Sequence, residues 1–386
     1  MTALRARVVE DAVADLESLG PAWRELDRHS APNVFLTFEW VSSWWHSLAG
    51  RHTPYVVVVE DERGAIVGIA PLLRSLARVS GVGAAATLQF MGHPQADRLG
   101  FLARSGHESD VADAVASFLR ERTDWDVLRL SDLPSDSPEL ASLTRAFLGD
   151  HIVLVEPGLA CPYLPIDGTW DRYLRTRQKR FRVGLRHDQR RVREELAGRL
   201  TACLDPEHAK RALEFMFEHN AARFAVGDTT LSGFADPRVR AFHLALAPRM
   251  LEERRLDLNV IEVDGTIVAV DYGFRHGGKI WGYNAAFDAR YEPYGLGRVL
   301  LGWVIERAFS EGVNEYDFLL GDYVYKRRWA AQTRHHREVL VVRRRLAAIV
   351  AAAFPAWWNR LKRAVKRAVP QELANTVRRR LLRTNG

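Results

Sequence analysis

Hydrophobic residues between Leu258 and Trp329 first alternate as in strands and then recur at helical spacing. The pattern predicts strands at Leu258–Val263, Ile267–Phe274 and Lys279–Phe287, a helix at Arg298–Ser310 and a last strand at Tyr316–Leu320. The pair Asp264-Gly265 predicts a tight hairpin, because both central residues of such a turn take positive φ. The stretch is therefore typical of an antiparallel meander followed by a helix and a further strand.

A glycine-rich loop, Tyr291–Gly297, separates the third strand from the helix. Gly295, Leu296, Gly297 and Arg298 surround the start of the helix, where uncovered amides and the positive end of the dipole can face an anion. These residues are predicted to hold a phosphate group. An ordinary turn that needs glycine for positive φ accounts for the pattern equally well.

The order of elements repeats at a separation of about 200 residues. Tyr55–Arg74 again gives strand, turn glycine and strand, and WDVLRLSD ends in Asp132 as NEYDFLLGD ends in Asp322. The first copy has the loop Gly92–His107, which lacks a compact Gly-x-Gly. Only the second copy is therefore predicted to bind a pyrophosphate.

These patterns predict an α/β chain of two tandem mixed-sheet domains, residues 1–160 and 161–345, and a basic amphipathic helical tail, residues 346–386. The predicted junction carries Pro162, Pro165 and Gly168. Further helices are predicted at Asp11–Asp27, Glu108–Arg120, Pro206–Arg223 and Pro237–Glu253. The aromatic stretch Asn33–Leu48 has helical spacing and is predicted to lie in the core rather than to bind a ligand.

Composition narrows the class of protein. The chain has 386 residues, 47% of them hydrophobic, which suffices for two or three domains. Cys161 and Cys203 have no metal-ligand spacing, so we expect no metal and a reducing compartment. The N-terminus lacks the apolar core of a signal peptide, and no run reaches the ~18 apolar residues of a membrane span. The body of the chain is expected in the cytoplasm.

The net charge of +7 comes from the C-terminal segment, residues 339–386. Residues 339–386 hold twelve Lys or Arg and a single acid, Glu372. Trp357-Trp358, followed by five cations up to Arg367, is typical of a helix that lies on an anionic membrane, so 346–386 is predicted to bind the inner face. A helix folded back on the acidic body is the alternative. Nucleic acid is not favoured, because the aromatic residues are paired rather than interleaved with charges.

A second basic segment, Thr169–Arg199, includes Arg180. So many like charges at spacings of two to four repel one another, and an anionic partner would relieve the repulsion. The partner could be the 3′-phosphate of CoA, an anionic glycan or lipid head group, or tRNA. A solvated charged helix explains the segment equally well.

The order strand–strand–strand–Gly loop–helix–strand resembles the core of the GNAT acyltransferases. Their pyrophosphate loop is usually Q/R-x-x-G-x-G/A, whereas here four residues separate Arg290 from Gly295-Leu296-Gly297. That spacing resembles the BioF2-like or CelD-like acetyltransferase-domain proteins, which are similar to the Fem-type aminoacyl transferases. The segments Trp170–Arg193 and Gly321–Trp329 fit the same group. The resemblance covers roughly residues 35–345.

The resemblance implies two tandem GNAT-like domains with acyl-CoA as cosubstrate and an amine as acceptor. Within it, Lys326 corresponds to the lysine of an aromatic-lysine pair, a cation that can stabilise an oxyanion. Asp97 corresponds to a recurrent acidic position, which can orient an acceptor amine or cap a turn. The third strand, with Tyr283 and Asn284, would lie beside the pantetheine arm. Candidate proton acceptors are Asp322, at the end of a strand, and His219. Further candidate acceptor contacts are Arg180, Arg223, Tyr323 and Tyr325.

The expected function is N-acyl transfer from acyl-CoA to an amine of an envelope-associated acceptor, such as an amino lipid, a sphingoid-like base or an amino sugar. One alternative is Fem-like aminoacyl transfer from charged tRNA. Another is a non-catalytic GNAT scaffold of a polysaccharide-synthesis complex. No nucleophile-elbow, P-loop, HExxH or dinucleotide motif occurs in the right context, so hydrolase, kinase, protease and dehydrogenase functions are not favoured.

Overall fold

The computed structural model describes residues 4–9, 13–79, 83–227 and 233–353, and the side chains of 13–15, 79 and 221–227 are outside that description. The strands are β1 Arg5–Val9, β2 Thr53–Glu60, β3 Ile66–Val79, β4 Gly83–Phe90, β5 Leu102–Ala103, β6 Val127–Pro134, β7 Ile152–Pro165, β8 Arg199–Ala202, β9 Leu256–Val263, β10 Thr266–His276, β11 Lys279–Phe287, β12 Glu315–Asp317 and β13 Gln332–Val342. The α-helices are α1 Val13–Ser18, α2 Gly20–Arg28, α3 Phe38–Leu48, α4 Glu108–Glu121, α5 Pro138–Phe147, α6 Trp170–Thr176, α7 Lys179–Glu195, α8 Pro206–Gly227, α9 Pro237–Glu252, α10 Leu296–Ser310 and α11 Val324–Trp329.

Within the described ranges the strands form one mixed sheet in the order β1-β2-β3-β4-β6-β13-β7-β12-β11-β10-β9-β8, and β5 pairs with β3. Each half contributes a meander that ends in a short parallel pair. In the N-terminal half, Thr87–Gln89 of β4 pairs with Val127–Arg129 of β6. In the C-terminal half, Lys279–Trp281 of β11 pairs with Glu315–Asp317 of β12. The α/β class and the repeated order of elements are thus confirmed.

The two halves exchange their last long strands. β7 follows the N-terminal meander in the chain but pairs with β12 of the C-terminal half, and β13 pairs with β6 of the N-terminal half. β7 and β13 also pair with each other over most of their length. The predicted boundary between residues 160 and 161 falls inside β7, so the chain crosses between the halves in a strand and not in a loop.

Local sequence explains most element boundaries. Asp264 and Gly265 take φ values of 49° and 74°, as the hairpin requires. The predicted helix Asp11–Asp27 is interrupted at Leu19, because Gly20-Pro21 begins a second helix there. The predicted strand Tyr316–Leu320 is wrong in its bounds. β12 ends at Asp317, since Leu319 takes a φ of 58° that cannot continue a strand.

Helices cover both faces of the C-terminal part of the sheet. One hydrophobic core contains α3, α8 and α9 against residues such as Val260, and a second contains α7 and α10 against residues such as Ile261. The aromatic stretch predicted to be core forms α3, where Trp40 and Trp44 are buried. The fold thus places α7 and α10 on one face of the sheet. The strands β11 and β12, which separate from each other, lie next to the junction of the two halves.

The start of the predicted tail lies on the body. Residues 346–353 are helical, and Ala348 and Ala352 pack against Val127 and Val342. Residues 354–386, which carry Trp357, Trp358 and all nine cations of the predicted tail, lie outside the described residues. In the described ranges no helix is long and apolar enough to cross a membrane.

Candidate active site

Asp97 and Lys326 come from different halves of the chain and bind the backbone of the same residue. The Leu320 N–H donates to Asp97 Oδ2 at 3.1 Å, and Lys326 Nζ donates to the Leu320 carbonyl at 2.6 Å and to the Leu319 carbonyl at 3.3 Å. A lysine ammonium has three donors, so one remains for a further acceptor.

Burial shifts the pKa of each group in the direction that favours proton transfer. Lys326 is buried, and burial lowers its pKa while the charge of Asp97 opposes that shift. Burial raises the pKa of Asp97 to about 7, with Asp132 and Asp317 adding to the rise and Lys326 opposing it. A carboxyl group with a pKa near neutrality is suited to act as a general base.

Asp317 joins the two halves beside this pair and was not among the predicted site residues. Its carboxylate accepts from Arg98 Nη2 at 2.6 Å, from Arg334 Nη1 at 2.9 Å and from the Leu319 N–H at 2.9 Å. The side chain is completely buried. An aspartate inside the otherwise apolar run Tyr316–Leu320 is the sequence signal that could have identified it, because unpaired acids are rarely buried.

The strands β11 and β12 diverge at this point. Their parallel pairing ends at Trp281 and Asp317, while β11 continues to Phe287. Tyr283 is the extra residue of a bulge between β10 and β11, and its hydroxyl donates to the Gln95 carbonyl at 2.9 Å. Burial and then the charge of Asp97 raise the Tyr283 pKa. The opened side of β11 therefore borders Asp97, where the sequence predicts the donor arm.

Asn284 lies further along β11, and His219 belongs to α8. Asn284 Oδ1 accepts from Asn220 Nδ2 at 2.7 Å. His219 stacks on Phe215 with ring centroids 3.9 Å apart, and its charge acts on Asp288 at the end of the strand. In the described part of the chain His219 bonds to neither Asp97 nor Lys326, so its role as a base stays a prediction.

The Gly-x-Gly loop begins α10. Gly295 takes a φ of 62° and precedes the helix, and the amides of Leu296 and Gly297 belong to the first turn, which has no intrahelical acceptors. Asp188 of α7 is ion-paired with Arg298, and its Oδ2 would lie 2.7 Å from a Cβ at position 295. The amides of the first turn fit a pyrophosphate, and the Asp188 carboxylate beside Gly295 opposes the approach of a second anion.

Asp322 and the two tyrosines lie on the outer side of Lys326. Asp322 is exposed and accepts two 2.6 Å hydrogen bonds from Arg327, which lower its pKa. Such a carboxylate is a weak base, and its catalytic role stays a prediction. The Lys326 ammonium lies 5.3 Å from the centroid of the Tyr323 ring, which stacks on Tyr325 at 6.2 Å.

Two further predicted acceptor contacts, Arg180 and Arg223, lie on helices. Arg180 is exposed on α7. Arg223 belongs to α8, but its side chain lies outside the described residues. Among the described residues no group of three or more His, Cys, Asp or Glu could hold a metal ion.

A family model described as acetyltransferase (GNAT) domain matches residues 179–327. The match spans α7 to α11 and thus contains the Gly-x-Gly loop, the diverging strands and Lys326. No curated protein is significantly similar in sequence to this chain.

Solved structures share the fold at low identity. The structure of FemX has a TM-score of 0.57 and 12% identity over 86% of this chain and 96% of that one. The C-terminal domain (DUF2156) of a lysylphosphatidylglycerol synthetase from Agrobacterium fabrum has a TM-score of 0.53 and 10% identity over 87% and 95%. L-PGS from Bacillus licheniformis has a TM-score of 0.51 and 12% identity over 89% and 96%.

These likenesses extend over both halves of the chain, whereas the family model covers only the second. The family model and the fold agree with the resemblance drawn from the Gly loop and Gly321–Trp329. Residues 179–327 thus match the acetyltransferase (GNAT) domain family, and the chain as a whole shares the fold of FemX.

Proposed function

We propose that the chain transfers an acyl group from acyl-CoA to an amine of an envelope-associated acceptor, such as an amino lipid, a sphingoid-like base or an amino sugar. The observation that carries the proposal is the convergence of Asp97 and Lys326 on the backbone of Leu320. A base and a cation held together at a buried centre are what amide formation from a thioester requires.

In the proposed reaction the acceptor nitrogen attacks the acyl carbonyl, so that a C–N bond forms and the C–S bond breaks. Asp97 takes the proton from the attacking amine. The third donor of Lys326 stabilises the oxyanion, and the leaving thiolate takes up a proton. The backbone of β11 next to Tyr283 positions the donor arm, and Gly295, Gly297 and Arg298 hold its pyrophosphate.

A Fem-like aminoacyl transfer from charged tRNA is the second candidate. One observation favours it: the buried carboxylate of Asp188 already occupies Arg298 at the Gly loop. A donor without a pyrophosphate would not compete with that pair. The same Asp97 and Lys326 chemistry would serve, because an aminoacyl ester also presents a carbonyl to an amine.

Calorimetric titration with CoA and with a long-chain acyl-CoA tests the donor. We expect binding by the wild-type protein and its loss in Gly295→Trp, because a side chain there meets Asp188 and needs a φ of 62°. Gly106→Trp is the matched control, since Gly106 has a φ of 86° and nothing within 4 Å. Failure of the wild-type protein to bind either ligand would overturn the acyl-CoA proposal, and binding of charged tRNA would support the alternative.

We further propose that the enzyme works at the inner face of the membrane. The cations of residues 346–386 support this location.

A further inference from the structure

A series of hydrogen bonds runs from the core of the C-terminal half to the loop that carries Asp97. The Tyr272 hydroxyl lies 3.2 Å from His243 Nδ1, and the Tyr283 hydroxyl lies 3.5 Å from His243 Nε2. The Tyr283 hydroxyl also donates to the Gln95 carbonyl at 2.9 Å. Gln95 precedes Asp97 by two residues in the loop between β4 and β5. We call these four residues, Tyr272, His243, Tyr283 and Gln95, the His243 bridge.

The contacts fix the direction of each bond in the His243 bridge. Burial lowers the pKa of His243 to about 3, so the imidazole is neutral and has one donor and one acceptor nitrogen. The Tyr283 hydroxyl has one proton, and its nearer acceptor is the Gln95 carbonyl. Nε2 therefore carries the imidazole proton and donates to Tyr283, whereas Nδ1 accepts from the Tyr272 hydroxyl.

The surroundings of His243 do not themselves require a histidine. The side chain is completely buried, and its ring centroid lies 4.6 Å from that of Phe242 and 5.2 Å from that of Phe234. A polar group buried among aromatic rings costs free energy unless it is hydrogen-bonded. A phenylalanine would fill the same space without that cost, so the two ring nitrogens are what distinguishes this residue.

The other end of the His243 bridge holds the segment of Asp97. The Gln95 side-chain oxygen accepts from Trp44 Nε1 at 2.9 Å, while its carbonyl accepts from Tyr283 of the C-terminal half. Asp97 itself accepts from the Leu320 N–H, and its charge acts on Tyr283. The segment of the proposed base is thus held by hydrogen bonds that cross from one half to the other.

We propose that His243 is a positioning residue for the reaction: it orients the Tyr283 hydroxyl toward Gln95 and so keeps Asp97 buried beside Lys326. The inference rests on the proposed function, because it concerns the base of that reaction. His243 gives up and takes up no proton. Without its Nε2–H the Tyr283 hydroxyl loses its donor and is free to turn from Gln95, and the loop admits water to Asp97.

The position of Asp97 is measured without substrate. The full-length protein is labelled with ¹³C at the aspartate carboxyl groups, and the Asp97 signal is the one that Asp97→Asn removes. We expect its titration midpoint to fall from about 7 toward 3.8 in His243→Phe and in Tyr283→Phe, because burial is the largest cause that raises the pKa. His243→Gln, whose amide can donate in place of Nε2, should keep the midpoint of the wild-type protein.

Transfer should respond in the same order. His243→Phe should slow it by roughly 10- to 100-fold, since a displaced base is less well aligned, and should move the rising limb of the pH profile to lower pH. The double variant His243→Phe/Tyr283→Phe should match Tyr283→Phe, because both changes interrupt one series of bonds. Other ionisable groups that act on Asp97 are kept in His243→Phe; they are Lys326, Asp132, Asp317, Cys161 and Tyr283.

Matched controls come from the N-terminal half. His151→Phe removes a histidine whose ring stacks on Trp125. Tyr55→Phe removes a buried hydroxyl that bonds to Asp124. Urea unfolding shows that each variant is folded, and neither control should move the Asp97 midpoint.

The two proposals fail separately. An Asp97 midpoint that stays at the wild-type value in folded His243→Phe and Tyr283→Phe would overturn the positioning role, and so would a double variant whose loss is the sum of the two single losses. A midpoint that falls as expected in a protein that transfers no acyl group contradicts only the proposed function. Transfer with the same rate and pH profile in His243→Phe contradicts only the positioning role.

Discussion

At the scale of single residues, two side chains carry the proposed chemistry. Lys326 and Asp97 were identified in the sequence by resemblance, and the structure brings both to Leu320. Asp317 and Asp188 were not identified. Their importance depends on Arg98, Arg334 and Arg298, which are distant in sequence or lie on another helix, and no local pattern encodes such pairs.

The pH dependence of the reaction should follow Asp97. Because the carboxylate is the form that accepts a proton, the rate should rise with pH through about 7 and fall at higher pH as Lys326 loses its proton. Asp97→Asn should remove the rising limb and slow the reaction by about 10²–10⁴-fold. Asp110→Asn, on the surface of α4, is the control. A rising limb that persists in Asp97→Asn would exclude Asp97 as the base.

Asp188 should weaken donor binding. Its carboxylate holds Arg298 and faces the Gly loop, so Asp188→Asn should free the cation and tighten CoA binding by about tenfold. Calorimetry measures the change, and Glu194→Gln, on the exposed side of the same helix, should leave the affinity unchanged. Weaker CoA binding by Asp188→Asn would show that the carboxylate supports the donor site.

At the scale of elements, the meander β9–β11 and the helix α10 were predicted with bounds close to those observed. Alternation and turn chemistry act over a few residues, so the sequence displays them directly. The exchange of β7 and β13 was not predicted, because pairing between distant strands leaves no local period. The bounds of β12 were wrong because a left-handed residue, Leu319, interrupts an apolar run.

The stability of the protein should depend on the ion pairs that Asp317 makes at the end of β12. Asp317→Asn leaves Arg98 and Arg334 without their shared carboxylate, and breaking such a buried pair costs about 3–5 kcal/mol in the free energy of unfolding. Urea unfolding checks this value. Asp150→Asn removes an exposed partner of Arg120 and should cost at most ~1 kcal/mol. Equal losses in the two variants would contradict the junction's role.

At the scale of the whole molecule, one sheet runs through both halves and the candidate site lies where they meet. The tandem arrangement was predicted from the repeated pattern, whereas the continuity of the sheet follows from the strand exchange. Neither half contains both residues of the proposed catalytic pair, since Asp97 precedes β6 and Lys326 follows β12.

The strand exchange predicts cooperative unfolding. Because removing either half would strip partners from β7 or β13, tryptophan fluorescence and far-ultraviolet circular dichroism should report one coincident urea transition. Two separated transitions would show that the halves are independent domains.

The most direct test of the account is transfer itself. The purified protein is mixed with a long-chain acyl-CoA and, in turn, with glucosamine, a sphingoid base and an amino lipid in anionic vesicles, and thiol release and the N-acyl product are measured together. We expect one acceptor to give equal amounts of both, with loss of about 10²–10³-fold in Lys326→Met and none in Lys210→Met, an exposed lysine of α8. Equal rates in the wild-type protein and Lys326→Met, with product formed, would contradict the assignment of the active site.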